Sequence, residues 1–191
     1  MAEVAPPARD AQVSRLLAAA EALFYARGVQ AVGMDEIRAG SGISLKRIYQ
    51  LFRTKSDLLL AVLERRDTRW REDLETFVDR APDAERVSAI FDWLHDWFQA
   101  PGFHGCAWIN TFGELGGTDA AVVESVQAHK RAFHAFVTRA AVESGYPTAV
   151  APALCLLAEG AIVNASINGD PAQALVAKEA AALLRSRSDR H

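Results

Sequence analysis

Apolar positions recur every three or four residues along almost the whole chain, and runs of alternating β-branched residues are missing. That period belongs to helices buried on one side. From Arg9 to Arg27 the spacing is carried by Val13, Leu16, Leu17, Ala20 and Phe24, and Gly28 follows where a helix stops. A short helix is predicted over Met34–Ser41, ended by the Gly-Ser-Gly at 40–42. Another is predicted over Leu45–Leu51, with Ser44 as its N-cap. After the break "RTKSD", a long amphipathic helix runs from Lys55 or Ser56 to about Asp79, with Leu59, Val62, Leu63, Trp70 and Phe77 on or near its apolar side. Further helices are predicted over Asp83–Gln99, Cys106–Leu115, Asp119–Ser144, Thr148–Asn168 and Ala172–Ser186, separated by glycine and proline breaks. The pattern is therefore all-α: a small front domain, then a larger helical one, with the boundary in or just before the long fourth helix.

The totals narrow the class. The chain has 191 residues, half of them hydrophobic and 24% charged, which suits a soluble protein with a real core. Its two cysteines, Cys106 and Cys155, lie far apart and fit a reducing compartment better than a disulfide scaffold. The opening "MAEVAPPARD" has no leader layout, so a cytoplasmic location is expected. The most apolar stretch, "AVAPALCLLAEGAIVNASIN", contains Pro152, Glu159 and Asn164, and reads as a buried helix rather than a membrane span. Charge is uneven. Residues 1–70 carry 11 Lys/Arg against 8 Asp/Glu, while residues 71–191 carry 10 against 16. A basic front can attract a polyanion although the whole chain is at −3.

The basic residues concentrate in "ISLKRIYQLFRTKSDLL", residues 43–59, which holds four of them with one acid. Helix, glycine turn and second short helix give the layout of a helix-turn-helix. The second helix of such a unit enters the major groove and presents its N-terminal side chains to base edges. Here those are Leu45, Lys46, Arg47 and Gln50: Lys and Arg suit guanine, Gln suits adenine, and Leu suits a thymine methyl. Ile48 and Phe52 fall on the opposite face. Tyr49 carries a hydroxyl for a phosphate, and Lys55 opens the next helix, where its ammonium and free N–H groups suit a phosphate too. On charge alone, a solvated basic face on a surface helix is the competing account.

Order and spacing resemble the DNA-binding domain of TetR-family transcriptional regulators. The matching residues are "FYARG" at 24–28, Gly42-Ile43-Ser44, Ile48-Tyr49, Phe52, Lys55 and Leu58, within a resemblance covering about residues 9–63. It implies an N-terminal helix-turn-helix domain over 1–54 and a C-terminal helical effector-binding and dimerisation domain over 55–191. It also adds Ser44 to the residues expected at the DNA. Three positions depart from the pattern: Gly33 replaces a capping Ser or Thr, Arg38 a small residue, and Leu51 an aromatic or His.

Residues 90–115 hold three of the four tryptophans and four of the nine phenylalanines. Aromatic walls with a few polar groups suit a small-molecule pocket, and equally a plain core. Cys106, Asn110 and Glu114 are spaced to share one helix face. A ligand, internal hydrogen bonds or solvent each satisfy such an Asn and Glu. The run "GCAWIN…E" is also similar to the LmrA/YxaF-like subgroup. From the family's pocket position the resemblance adds Trp70, Trp97, Phe98, Phe133 and Asn164 as lining candidates. It further implies a homodimer through the helices at 119–144 and 148–168, on a palindromic double-stranded operator with recognition helices about 34–36 Å apart or a multiple of it.

Walker, dinucleotide, zincin and nucleophile-elbow motifs do not occur. His95, His104 and Cys106 lack ligand spacing, so no metal and no cofactor is expected. The expectation is a repressor released from DNA by a small apolar effector. The alternatives are a helical enzyme or carrier with a DNA-binding-like front end, and a regulator that answers to no small molecule.

Overall fold

In the computed structural model, which describes residues 8–188, nine α-helices account for nearly all regular structure, and no strand occurs among the described residues. The helices are α1 (Ala8–Arg27), α2 (Met34–Ser41), α3 (Leu45–Leu51), α4 (Lys55–Val78), α5 (Arg86–Gln99), α6 (Ala107–Leu115), α7 (Ala120–Glu143), α8 (Ala151–Asn168) and α9 (Gln173–Ser188). Single 3₁₀ turns at Asp83–Glu85 and Thr148–Val150 lead into α5 and α8. Each follows a proline, Pro82 or Pro147, so the predicted helices over these stretches begin as tighter turns. The first seven residues, whose lack of a leader layout was noted, lie outside the described residues.

The chain forms two compact units. One holds the chain up to Arg66 together with Ala107–Val126; the other holds Asp67–Cys106 and the chain from Gln127 on. In the first, α2 packs on α1 and on α3 around Leu16, Ala20, Ile37, Ile43, Ile48 and Leu58, all buried. Two carboxylates tie the later segment into it. Glu114 on α6 accepts from the backbone N–H of Val29 (2.9 Å) and of Gln30 (2.7 Å). Asp119 caps α7 through the N–H groups of Ala121 and Val122 and also accepts from the Ser56 hydroxyl. Those bonds, the Ser56 one foremost, hold the Asp119 carboxyl below its ordinary pKa.

In the second unit, α9 packs on both α8 and α5. Phe91, Leu94, Phe133, Leu154 and Ile162 are its buried apolar residues of largest consequence. Ser144, after α7, satisfies one orphan N–H at the start of α5: its hydroxyl accepts from Val87 N–H (3.2 Å) and donates to the Asp83 carbonyl (2.8 Å). Lys178 on α9 pairs with Asp92 on α5 at 2.6 Å.

α8 with its leading turn is long and apolar enough to cross a membrane by length and composition. Its hydrophobicity has two separate destinations. Leu154, Ala158, Ala161, Ile162 and Ala165 are buried inside the unit. On the opposite side Leu156, Gly160, Val163 and Ile167 form one outward stripe, with Leu156 73% and Ile167 77% exposed.

Candidate nucleic-acid interface and effector site

The helix-turn-helix is built by three local devices. Gly42 ends α2 at φ +66°, a left-handed conformation that glycine adopts without penalty. Ser44 then caps α3, its hydroxyl accepting from Arg47 N–H at 3.3 Å. Ile48, fully buried, fixes the rotation of α3. The opposite side therefore turns outward: Lys46 and Gln50 are exposed and Tyr49 is 47% exposed. Leu45 is half-buried beside them.

Arg47 is half-buried and already oriented. Its Nε donates to Gln12 Oε1 on α1 (3.0 Å) and one terminal nitrogen to Gln50 Oε1 (3.3 Å). Both partners are neutral, and the guanidinium has further donors beyond these two bonds. Lys55 is placed differently. Its ammonium donates to the carbonyl oxygens of Val29 and Val32, each at 2.6 Å, and closes the turn between α1 and α2. These two bonds use two of the three N–H groups of the ammonium.

At the three unusual positions, Gly33 has no side chain to cap α2, and Glu36 reaches back to its N–H (3.0 Å) while also pairing with Arg27. The Gly33 bond, then Arg27, lowers the Glu36 pKa. Arg38 points to solvent and pairs with Asp35 at 3.1 Å. Leu51 is half-buried, and nothing in the structure explains the choice of leucine.

The effector candidates divide between the units. In the second, Trp70 is the centre of an aromatic cluster, edge-on to Trp93 (5.2 Å between centroids), Trp97 (5.7 Å), Phe133 (5.3 Å) and His129 (5.2 Å). Trp97 continues it to Phe98 and Phe103. Trp70 is buried, and no protein acceptor reaches its indole N–H. Cys106, also buried, takes a long contact from Lys130 Nζ (3.5 Å), and Lys130 pairs with Glu159 at 2.6 Å. Asn164 stands apart: it is exposed on α8 and donates back to the Gly160 carbonyl (2.8 Å).

Asn110 and Glu114 belong to the first unit. Cys106 precedes the first residue of α6, so the regular helical face that would join it to them starts one residue too late. Asn110 is exposed. Glu114 has both oxygens engaged by Val29 and Gln30, and Gln30 Nε2 returns a bond to the Glu114 carbonyl at 2.6 Å. Internal hydrogen bonds are thus its partners.

Two participants were not among the candidates named from the sequence. His129 lies in the aromatic cluster with Nδ1 2.6 Å from Asp67 Oδ1, across 62 residues of sequence. Burial pushes its pKa down to about 4, against the pull of Asp67. Trp93 stacks on Trp97 at 5.6 Å, a pairing that their spacing of four on α5 does announce.

Comparison with known proteins agrees with this layout. Residues 16–62 match the family model described as bacterial regulatory proteins, tetR family. The HTH-type transcriptional activator FasR of Mycolicibacterium smegmatis is 40% identical over 94 residues, which span 46% of this chain and 43% of that protein. The chain thus matches less than half the length of that curated relative. The crystal structure of SCO4454, a TetR-family transcriptional regulator from Streptomyces coelicolor, is 27% identical and superposes with a TM-score of 0.83 over 93% of this chain and 96% of that one. A tetR-type regulator structure from Streptomyces avermitilis is 28% identical, with a TM-score of 0.78 over 94% and 99%. Reduced Escherichia coli NemR, 20% identical with a TM-score of 0.78 over 88% and 95%, shares the fold. The match to the tetR family model thus takes in α2 and α3, and the likeness of fold to TetR-family regulator structures covers nearly the whole chain.

Proposed function

We propose that the chain is a non-enzymatic, cytoplasmic transcriptional regulator that binds a palindromic operator as a homodimer and leaves it when a small apolar effector enters. Residues 1–54 bind DNA; residues 55–191 bind the effector and dimerise. Leu45, Lys46, Arg47 and Gln50 meet base edges, with Ser44, Tyr49 and Lys55 at the backbone. The observation that carries this reading is the rotation of α3, which buries Ile48 and turns Lys46, Tyr49 and Gln50 outward together.

Support for the effector comes from the Trp70 cluster, an aromatic wall around a buried indole donor without a protein acceptor. An apolar molecule with one acceptor group suits it. Support for the dimer comes from the outward apolar stripe on α8 and from Val176 (60% exposed) and Leu183 (67% exposed) on α9. Repression is the mode the family resemblance implies. FasR, named an activator, favours the opposite sign.

The test is fluorescence anisotropy on DNA from upstream of the chain's own gene, at several salt concentrations. A regulator gives a steep fall of affinity with salt. Lys46→Ala with Arg47→Ala is expected to cost at least about tenfold, since each base-edge pair contributes about 1–3 kcal/mol. Unchanged affinity in that double variant would remove α3 as the reading element. A promoter–reporter fusion with and without the gene gives the sign.

A further inference from the structure

Of the side chains that α3 offers to a duplex, Arg47 is tied to a second helix. Its Nε–H donates to Gln12 Oε1 on α1 at 3.0 Å, a bond that crosses 35 residues of sequence. Gln12 and Arg47 are both half-buried, whereas Lys46 and Gln50 are exposed. We propose that Gln12 is a positioning residue for sequence reading: it aims Arg47 at one guanine in each half-site and keeps it from the phosphates. The inference rests on α3 being the DNA-reading element.

Both ends of the bond are fixed by local structure. Ile48, fully buried, sets the rotation of α3, and Ser44 accepts from Arg47 N–H at 3.3 Å. On α1, Gln12 lies one turn before the buried Leu16, and Arg65 donates to the Ser14 carbonyl at 2.8 Å. A guanidinium only donates, so the Gln12 amide must turn its oxygen toward Arg47.

The donors left over select the base. Gln12 occupies the Nε–H, and the two terminal nitrogens carry the other four N–H groups, one of them given to Gln50 Oε1 at 3.3 Å. Three remain, enough for the O6 and N7 acceptors of one guanine, which a guanidinium fork matches bidentately. At the same edge adenine sets a donor beside N7, and thymine offers a single acceptor. An arginine that nothing holds has another choice, because it pairs as readily with phosphate, which carries no sequence information. Ordering such a side chain on binding costs about two- to tenfold in affinity. With Gln12 in place that ordering is already met in the free chain. A carboxylate would hold the guanidinium too, but it would add a negative charge on the face that meets the polyanion.

The experiment incubates the full chain with a pool of randomised duplexes long enough for two half-sites and sequences the bound fraction. In wild type each half-site is expected to hold a guanine favoured at least about tenfold, and Arg47→Ala should abolish that preference and leave the others. Gln12→Leu should weaken it about two- to tenfold, at that position alone. Its affinity for a duplex of alternating A and T, which contains no guanine, should stay within about twofold of wild type. Gln12→Glu restores an acceptor and should recover the guanine preference, with lower affinity for every duplex. A preference untouched by Gln12→Leu, a loss spread evenly over all positions, or a Gln12→Glu chain as indifferent as Gln12→Leu would each overturn the proposal. A wild-type chain that enriches no sequence defeats the DNA-binding reading itself, and this inference with it, so the two failures are told apart.

Discussion

Lys55 stands in the family motif where a phosphate contact is expected, yet two of its three N–H groups bind the Val29 and Val32 carbonyls. A charged hydrogen bond contributes about 1.5–3 kcal/mol, and orphaned carbonyls add a further loss. Lys55→Met is therefore expected to lower stability by about 2–4 kcal/mol in urea denaturation, beyond any effect on DNA. A melt unchanged from wild type would show that the two bonds contribute nothing net. His129 gives a pH signature. Its folded pKa of about 4 lies below the ordinary 6.5, so the unfolded chain binds more protons between those values. Stability is then full above about pH 6.5 and falls as the pH drops toward 4, by about 2 kcal/mol at pH 5. His129→Gln should flatten that part of the stability–pH curve; a slope retained in the variant assigns it to another group.

Among the elements, the turn between α2 and α3 rests on Gly42. No atom lies within 4 Å of where its Cβ would be, so Gly42→Ala meets only the backbone cost of φ +66°. That cost is about 1–2 kcal/mol. Chemical denaturation checks it, and a loss far above this range would mean that α3 also shifts. This turn was legible in the sequence because glycine, N-cap serine and buried isoleucine are local signals spaced by a few residues. The same holds for the helices, whose ends differ from the periodicity mainly where Pro82 and Pro147 impose a 3₁₀ turn. The inward duties of Lys55 and Glu114 were not legible. Their acceptors and donors are backbone groups 23 to 85 residues away, and backbone groups leave no residue-type signature. Asp67 and His129 escaped for a related reason: a pair 62 residues apart on two helices has no spacing to detect.

At the level of the whole molecule, α8 presents Leu156, Gly160, Val163 and Ile167 to the outside in a seam with coiled-coil spacing. Leu156→Glu with Ile167→Glu changes two side chains that are exposed in the single chain, so the fold should persist. The proposed homodimer should not. Sedimentation is expected to show a monomer, with operator affinity reduced at least tenfold because the two half-sites no longer bind together. A dimer persisting in the double variant would place the interface elsewhere. In the proposed homodimer the seam also sets how the chain responds to its own abundance. Where chains are scarce relative to the dimer Kd, the concentration of dimer grows as the square of the chain concentration. On that proposal operator occupancy rises steeply across a threshold of expression, and the small residue Gly160, which would allow two α8 helices to approach, helps fix where that threshold lies.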